Sequence, residues 1–130
     1  MTHQFDLRVY YEDTDLAGIV YYANYLKFIE RARSEWARGL GVDQTAMKAD
    51  GLVFAVRRVV ADYLRPAVYD DQLQVRTTVL EATGARLRVQ QSVWRGAEQV
   101  FEAEVTLVCL GAEGRAVRFP KALRGQFVSR

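Results

Sequence analysis

The sequence predicts an α+β fold in which one antiparallel β-sheet wraps around a single long α-helix. Residues 23 to 40 carry one apolar stripe with the period of a helix. From residue 52 onwards, apolar residues instead recur at every second position in several short runs, as they do in half-buried strands. Short connections between these runs predict antiparallel hairpins, and the helix is then the one element able to cover the apolar face of the sheet.

The first two elements are a strand from Phe5 to Tyr11 and the helix. Gly39 and Gly41 supply the signal that ends the helix. The apolar stripe consists of Tyr25, Phe28, Ile29, Ala32, Trp36 and Leu40.

The remaining elements are strands. One is predicted from Leu52 to Leu64, ending at Arg65-Pro66. Three more follow the alternating residues Leu73, Val75, Thr77 and Val79, then Leu87, Val89, Gln91 and Val93, then Phe101, Ala103, Val105, Leu107 and Cys109. Turns are expected at Gly84, at Gly96 and between Gly111 and Gly114. The nearly continuous apolar run from Val105 to Leu110 predicts a central strand, or one whose second face meets another subunit.

Length and composition predict one domain over residues 1–130. The chain has 130 residues, of which 50% are apolar. No run approaches the ~20 apolar residues that span a bilayer, and the first eight residues lack a signal-peptide core, so we expect a cytoplasmic protein without a membrane span. Cys109 is the only cysteine, which excludes an internal disulfide and a thiolate metal cage.

Charge is unevenly distributed along the chain. The net charge is +2, but residues 111–130 carry five basic side chains against Glu113 alone. These basic residues are Arg115, Arg118, Lys121, Arg124 and Arg130. They either attract a polyanionic ligand or are simply solvated. The moderate pI of 8.8 and the lack of an aromatic-interleaved basic motif argue against nucleic acid as a partner.

Common catalytic machinery is excluded by the residue inventory. His3 is the only histidine and lies in an N-terminal segment expected to be loose, which disfavours serine–histidine and cysteine–histidine hydrolases. None of the three serines lies in a Gly-x-Ser-x-Gly elbow, and the nine glycines form no phosphate-binding or dinucleotide-binding motif. No metal site is predicted, because Asp13 and Asp15 lack the further oxygen ligands of a calcium loop.

The segment from Tyr10 to Tyr25 is the most unusual part of the sequence. It places three acids, Glu12, Asp13 and Asp15, among five tyrosines and ahead of Gly18. An acid drawn into such an apolar interior would have its pKa raised by desolvation and by neighbouring negative charge. Alternatively, Asp13 or Asp15 ties a turn through its side chain. The residues themselves leave both roles open.

A resemblance to a known family rests on a long motif. From Arg8 the chain reads Arg-Val-Tyr-Tyr-Glu-Asp-Thr-Asp, followed by Gly-Ile-Val-Tyr-Tyr-Ala-Asn-Tyr from Gly18 and by Glu-Arg-Ala-Arg up to Arg33. Weaker similarity covers residues 61–67, 70–73 and 119–123. The segment resembles the hotdog-fold 4-hydroxybenzoyl-CoA thioesterase family, most closely its YbgC-type, Tol-Pal-associated acyl-CoA thioesterases. The resemblance implies hydrolysis of an acyl-CoA to the free acid and CoA, no cofactor, and a homodimer or homotetramer whose active site uses both chains.

The resemblance also implies an active site. The aspartate of the motif is Asp15, as nucleophile or general base, with Gly18 forming the turn. The backbone N–H of Tyr22, at the start of the helix, is expected to polarise the thioester carbonyl. Many YbgC-type members have a histidine at the Tyr22 position, whereas the hydroxybenzoyl-CoA enzymes have a tyrosine, so substrate preferences of the histidine-bearing members do not transfer.

Other residues are candidates for binding substrate or for structural roles. Tyr21 and Tyr25 are candidates for the acyl pocket, while Glu30 and Asp13 are interpreted as structural, Glu30 pairing with Arg33 or with a basic residue on a strand. Basic side chains often hold phosphates, and the candidates for CoA phosphates are Arg57, Arg58, Arg86, Arg88, Arg118 and Lys121.

Two alternative functions remain open. One is hydrolysis of acyl groups carried on acyl carrier protein, which would present the same thioester on a larger partner. The other is a non-catalytic hotdog domain that binds acyl-CoA or a cell-envelope partner. A hotdog dehydratase is disfavoured because the chain has no histidine beyond His3.

Overall fold

The computed structural model describes residues 2–128, so Arg130 of the basic tail lies outside them. The six strands are β1 (Thr2–Arg8), β2 (Val53–Tyr63), β3 (Gln72–Ala82), β4 (Leu87–Arg95), β5 (Glu98–Leu110) and β6 (Ala116–Val117). The three α-helices are α1 (Asn24–Gly39), α2 (Gln44–Ala49) and α3 (Lys121–Val128), and single 3₁₀ turns span Tyr11–Asp13 and Ala112–Gly114.

The strands form one antiparallel sheet in the order β1-β3-β4-β5-β2, with β6 pairing at the end of β5. Buried residues alternate in β4 and in the first half of β3, as the period-two pattern predicts, whereas in β5 all residues from Val105 to Cys109 are buried. Between β4 and β2, β5 occupies an interior position, which confirms the first reading of its apolar run. The predicted α+β class is therefore confirmed.

Helix α1 packs against one face of this sheet along its predicted stripe. All six stripe residues are buried, and the Tyr25 ring stacks on Phe101 of β5 with centroids 4.8 Å apart. Gln91, wholly buried on β4, donates to the carbonyl of Ile29 at 2.8 Å. The predicted helix at residues 23–40 is confirmed, with the first and last residues forming its caps.

The prediction that α1 alone covers the sheet is wrong, because α3 covers it as well. Phe127 of α3 stacks on Trp36 at 5.7 Å, and Phe119, just before α3, packs on Phe54 of β2 at 5.9 Å. The sequence analysis missed α3, the two-residue β6 and the short α2, in which the Asp43 side chain accepts the N–H of Ala46 at 3.0 Å. The apolar face is therefore closed at one end by the C-terminal helix.

Two predictions for the N-terminal region are also wrong. The first strand ends at Arg8 rather than Tyr11, because the chain turns into the 3₁₀ segment Tyr11–Asp13. His3 is not in a loose segment, since it lies within β1 and pairs with Thr77 of β3.

Strand β2 lies at an edge of the sheet and is largely exposed. Its exposed apolar side chains are Val53, Val56, Val59, Val60 and Tyr63. Uncovered apolar edge strands are uncommon in monomers because they pair readily with another chain. Within residues 2–128, no helix is long and apolar enough to cross a membrane.

Candidate functional site

Asp15 lies in a tight turn that precedes α1. The N–H of Gly18 donates to the carbonyl of Asp15, and the N–H of Asp15 donates to the carbonyl of Ile19, both at 2.9 Å. Gly18 has φ +83°, a left-handed conformation that favours glycine. The turn projects Asp15 from a closed backbone loop.

The Asp15 carboxylate is exposed and only partly engaged. Oδ1 accepts the N–H of Ala17 at 2.9 Å, which fixes the side chain in an Asx turn. Oδ2 makes no hydrogen bond within residues 2–128. Asp15 therefore offers one oxygen for chemistry. Its side chain is exposed, in contrast to the buried acid that was one of the two roles left open by the sequence.

Asp13 has the structural role that the sequence analysis favoured. It is 8% exposed, and Oδ2 accepts the N–H of Tyr10 at 2.8 Å. Its carbonyl accepts the N–H of Tyr21 and the side-chain amide of Asn24, both at 2.9 Å. Asp13 thus joins the end of the first strand to the first turn of α1.

The backbone just before α1 leaves a donor unused. The N–H of Tyr22 makes no hydrogen bond within residues 2–128. Helix starts commonly carry such unpaired N–H groups at the positive end of the helix dipole. The Tyr22 carbonyl, in contrast, accepts the hydroxyl of Tyr63 at 2.9 Å, which ties this backbone to the edge strand β2.

A cleft of about 500 Å³ opens beside these groups. Its wall consists mainly of tyrosine and aliphatic side chains, and its single basic side chain within the described chain is Arg65, which pairs with Glu98 at 3.1 Å. The lining residues are Asp15, Ile19, Val20, Tyr21, Tyr22, Tyr25, Tyr63, Leu64, Arg65 and Pro66. The cleft thus brings together Asp15, Tyr21, Tyr22 and Tyr25 of the predicted site.

The tyrosines of the cleft are of two kinds. Tyr25 is buried, its hydroxyl oxygen accepts the N–H of Ala67 at 3.3 Å, and burial raises its pKa. Tyr63 is half exposed, and desolvation again raises its pKa, so its hydroxyl stays protonated and donates to Tyr22. Tyr21 and Tyr22 are exposed, with ring centroids 4.9 Å apart.

Sequence reasoning missed Tyr63 and Arg65 as residues of this cleft. Both lie in the segment of residues 61–67 that carried the weaker family similarity, but no role was assigned to either. The signal for them was the proline after Arg65, which ends β2 and turns the chain back toward the start of α1.

Most of the predicted phosphate-binding residues gather elsewhere. Arg58, Thr106 and Arg88 are cross-strand neighbours on the face of the sheet opposite α1. Arg57 and Arg86 complete a shallow pocket around them, into which Glu104 also projects. We call Arg57, Arg58, Arg86 and Arg88 the arginine cluster. It does not line the Asp15 cleft.

The other two predicted basic residues, Arg118 and Lys121, are exposed. Arg118 lies over Gly84 in the turn between β3 and β4, where a Cβ atom would come within 2.1 Å of its Nη2 atom. Lys121 is the first residue of α3. Neither lines the Asp15 cleft.

Glu30 does not form the predicted ion pair with Arg33. Glu30 Oε2 instead accepts the hydroxyl of Ser34 at 2.6 Å, and Arg33 donates to Gln91 Oε1 at 2.9 Å. Within residues 2–128, no group of three or more histidine, cysteine, aspartate or glutamate side chains is arranged to hold a metal ion.

The geometry of the cleft suits the cleavage of an acyl bond. A carboxylate oxygen can attack an acyl carbon or take a proton from water. An unpaired backbone N–H can stabilise the oxyanion that develops on the carbonyl oxygen. Asp15 and the Tyr22 amide are the groups of the cleft that offer these two functions.

Comparisons with known proteins agree on one family. The profile of the thioesterase-like superfamily matches residues 9–127. An acyl-CoA thioesterase of Haemophilus influenzae, YbgC, is 40% identical over 125 residues, covering 95% of this chain and 92% of the relative.

Solved structures share the fold. The crystal structure of a probable thioesterase from Bartonella henselae superposes with a TM-score of 0.87 at 37% identity, covering 92% of this chain and all of that one. A 1,4-dihydroxy-2-naphthoyl-CoA thioesterase from Synechocystis has a TM-score of 0.91 over 100% of this chain and 99% of its own. At 21% identity, that second likeness is one of fold alone.

Proposed function

As the chain belongs to the thioesterase-like superfamily and is thereby a thioester hydrolase, we propose that it cleaves acyl-CoA thioesters at the cleft beside Asp15. The products are a free carboxylic acid and CoA. The observation that carries the proposal is the unengaged Asp15 Oδ2 in a cleft that also contains the unpaired N–H of Tyr22.

Each group has a defined role in the proposed reaction. The Tyr22 N–H binds the thioester oxygen as it becomes an oxyanion, and one such donor is typically worth ~10²–10³ in rate. Asp15 either attacks the acyl carbon to form an anhydride, which water then hydrolyses, or removes a proton from the attacking water. The Ala17 N–H holds the carboxylate in place, and the Tyr63 hydroxyl holds the Tyr22 backbone.

The active unit in this proposal is a homodimer joined along β2. Antiparallel pairing of two β2 edges would cover the exposed valines of both chains and extend the sheet. Tyr63 lies at one end of β2 and in the Asp15 cleft, so this pairing places the second chain beside each cleft. A tetramer would join two such dimers through a different surface, because each β2 edge is already occupied in the dimer.

Two sets of basic residues are proposed to receive the phosphates of CoA. Arg65 lines the cleft itself, whereas the arginine cluster lies on the other face of the sheet and would reach a bound CoA only around the β2 edge. Under this proposal, Arg65→Met raises KM for acyl-CoA with little change in kcat. The matched change Arg38→Met, on the exposed face of α1, should leave KM unchanged.

The decisive experiment is an acyl-CoA panel, from short aliphatic to long-chain and aromatic thioesters, with the wild type and Asp15→Asn. We expect turnover of at least one thioester and a loss of at least ~10²-fold in kcat for the variant, as for removal of an acid, base or nucleophile. Asp50→Asn, a change at an exposed aspartate after α2, is the matched control and should retain full activity.

Two outcomes would contradict the proposal. Wild-type turnover by Asp15→Asn would remove Asp15 from the chemistry, and a lack of hydrolysis of any thioester would favour the non-catalytic alternative. Matched acyl-CoA and acyl-carrier-protein substrates decide between the two hydrolases, since a carrier-protein enzyme would show the higher kcat/KM on the protein-bound thioester.

A further inference from the structure

The loop that joins β2 to β3 supports the turn that carries Asp15. The carbonyl of Ala67, in this loop, accepts the N–H of Val20 at 2.8 Å. Val68, the next residue, forms an antiparallel bridge with Ile19. The carbonyl of Ile19 is the group that accepts the Asp15 N–H at 2.9 Å. The β2–β3 loop therefore holds the returning half of the Asp15 turn.

The same loop contacts the start of α1. Ala67 is fully buried, and its N–H donates to the hydroxyl oxygen of Tyr25 at 3.3 Å. Tyr25 lies in the first turn of α1, three residues after Tyr22. The position of the β2–β3 loop thus affects the distance between the Asp15 carboxylate and the Tyr22 N–H.

Arg95, the last residue of β4, holds the loop near both of its ends. Its Nη1 donates to the Pro66 carbonyl at 3.1 Å and to Asp71 Oδ2 at 2.8 Å. Asp71 Oδ2 also accepts the N–H of Val68 at 2.9 Å. One guanidinium nitrogen therefore connects the beginning of the β2–β3 loop to its end.

The Arg95 guanidinium is itself fixed from its other side. Nε donates to Glu98 Oε1 at 3.1 Å, and Nη2 donates to the same oxygen. These hydrogen bonds to Glu98, followed by the one to Asp71, raise the pKa of Arg95, so its charge persists at neutral pH. Arg95 does not line the Asp15 cleft, so it can influence the reaction only through the groups that it holds.

We propose that Arg95 is a positioning residue for the cleavage of the thioester. By holding the β2–β3 loop, its guanidinium keeps the Asp15 carboxylate in place relative to the Tyr22 N–H. This role rests on the proposed function, because it assigns Arg95 to the same site. A misplacement of 1 Å in a reacting group can cost ~10²-fold in rate, so release of the loop should lower kcat rather than raise KM.

The first test is the steady-state kinetics of Arg95→Met and Arg95→Lys with the best acyl-CoA of the panel, per folded molecule. We expect kcat of Arg95→Met to fall about tenfold with KM nearly unchanged, as for a loss of interactions that act in the transition state. Arg95→Lys should recover part of kcat, because the ammonium keeps a charged donor but not the planar fork.

The matched control is Arg38→Met, which breaks the ion pair with Glu35 on the surface of α1. That pair is 74% and 43% exposed, whereas the Arg95–Asp71 pair is 31% and 19% exposed. Solvent screens the surface pair more strongly, and its loss should leave both kcat and KM unchanged.

A double variant tests whether Arg95 acts through Asp15. In the Asp15→Asn background, Arg95→Met should lower kcat by less than about twofold, because the group that it positions is already gone. Amide chemical shifts give a readout that does not depend on activity. The signals of Ile19 and Val20 should move in Arg95→Met and stay in place in Arg38→Met.

The outcomes separate this role from the proposed function. Wild-type kcat in Arg95→Met, a rise in KM alone, or an equal loss of kcat in the Asp15→Asn background would each overturn the role of Arg95 and leave the proposed function intact. So would unchanged amide signals of Ile19 and Val20. Undiminished turnover by Asp15→Asn, or a wild type that cleaves none of the thioesters, would overturn both.

Discussion

Two neighbouring turns, Tyr10–Asp13 and Asp15–Gly18, use the same residue type in opposite ways. In the first, the Asp13 carboxylate is buried and accepts the N–H of Tyr10, while the Asp13 carbonyl anchors the start of α1. In the second, the Asp15 carboxylate is exposed, and one of its oxygens makes no hydrogen bond within residues 2–128. A single intervening residue, Thr14, separates a buried carboxylate from an exposed one with an unengaged oxygen.

In the proposed mechanism Asp15 reacts, while Asp13 holds the turn through its carboxylate and the start of α1 through its backbone carbonyl. The free oxygen of Asp15 is useful only if the turn and the start of α1 keep their relative positions, and Asp13 provides that connection. Substitution of Asp15 should therefore lower mainly the catalytic rate, and substitution of Asp13 should lower mainly the stability of the fold.

The largest expected effect is the loss of rate in Asp15→Asn, with stability nearly unchanged. An exposed substitution usually shifts the free energy of unfolding by less than ~0.5 kcal/mol. Thermal unfolding measured beside the kinetic assay checks this. If Asp15→Asn lowered Tm as much as Asp13→Asn, the two aspartates would not differ in their structural roles.

Asp13→Ala should reverse the pattern. It leaves the Tyr10 N–H without its acceptor and should reduce the free energy of unfolding by about 1–3 kcal/mol. Urea unfolding measures the loss, and kcat per folded molecule should fall less than in Asp15→Asn. A variant as stable as the wild type would contradict the structural role of Asp13.

Gly18→Ala should cost about 1 kcal/mol of stability, since the backbone there has φ +83° and a left-handed conformation disfavours a side chain. An added Cβ would meet no atom within 4 Å, so backbone strain is the only cause. Gly125→Ala is the control: Gly125 lies within α3, where alanine should stabilise by roughly 0.5–1 kcal/mol. Loss of stability in both variants would mean that the left-handed backbone of Gly18 is not the cause of the effect.

Tyr63→Phe should have the smallest effect. It removes one hydrogen bond to the Tyr22 carbonyl, worth about 0.5–1.5 kcal/mol, and loosens the backbone that carries the Tyr22 N–H. We expect kcat/KM to fall a few fold. Because desolvation raises the pKa of Tyr63, its hydroxyl is protonated at neutral and mildly alkaline pH, and the ratio of the two enzymes should be constant there. A ratio that changes with pH would show that Tyr63 titrates in the reaction.

The fold was predictable where a single periodicity dominated the sequence. The stripe from Tyr25 to Leu40 and the alternation in β3 and β4 reflect burial on one face, so they identified their elements correctly. Strand β5 was identified as well, although its second half is buried at consecutive positions. The end of β1 was missed because Tyr10 and Tyr11 have high strand propensity, while the Asp13 contact that turns the chain joins a side chain to a backbone N–H. Helix α3 is only 8 residues long and contains Gly125, which weakened its helical signal.

The candidate site was predictable only through the long motif. Composition excluded most catalytic groups, but two aspartates separated by one residue are equivalent in pattern and in charge. Which of them is buried depends on the path of the turns, and that path depends on contacts with Tyr10, Ile19 and Asn24. Tyr63 was missed for a similar reason, since its contact with Tyr22 joins residues 41 positions apart.

The sheet order also has a consequence for how the chain folds. Strands β3, β4 and β5 follow one another through turns of four and two residues, so they can pair by closing short loops. Strand β1 pairs with β3 across a separation of up to 76 residues and must wait until the intervening helix is in place. We therefore expect a folding nucleus in the β3-β4-β5 meander and a slow final step in which β1 docks, bringing with it the turns that carry Asp13 and Asp15.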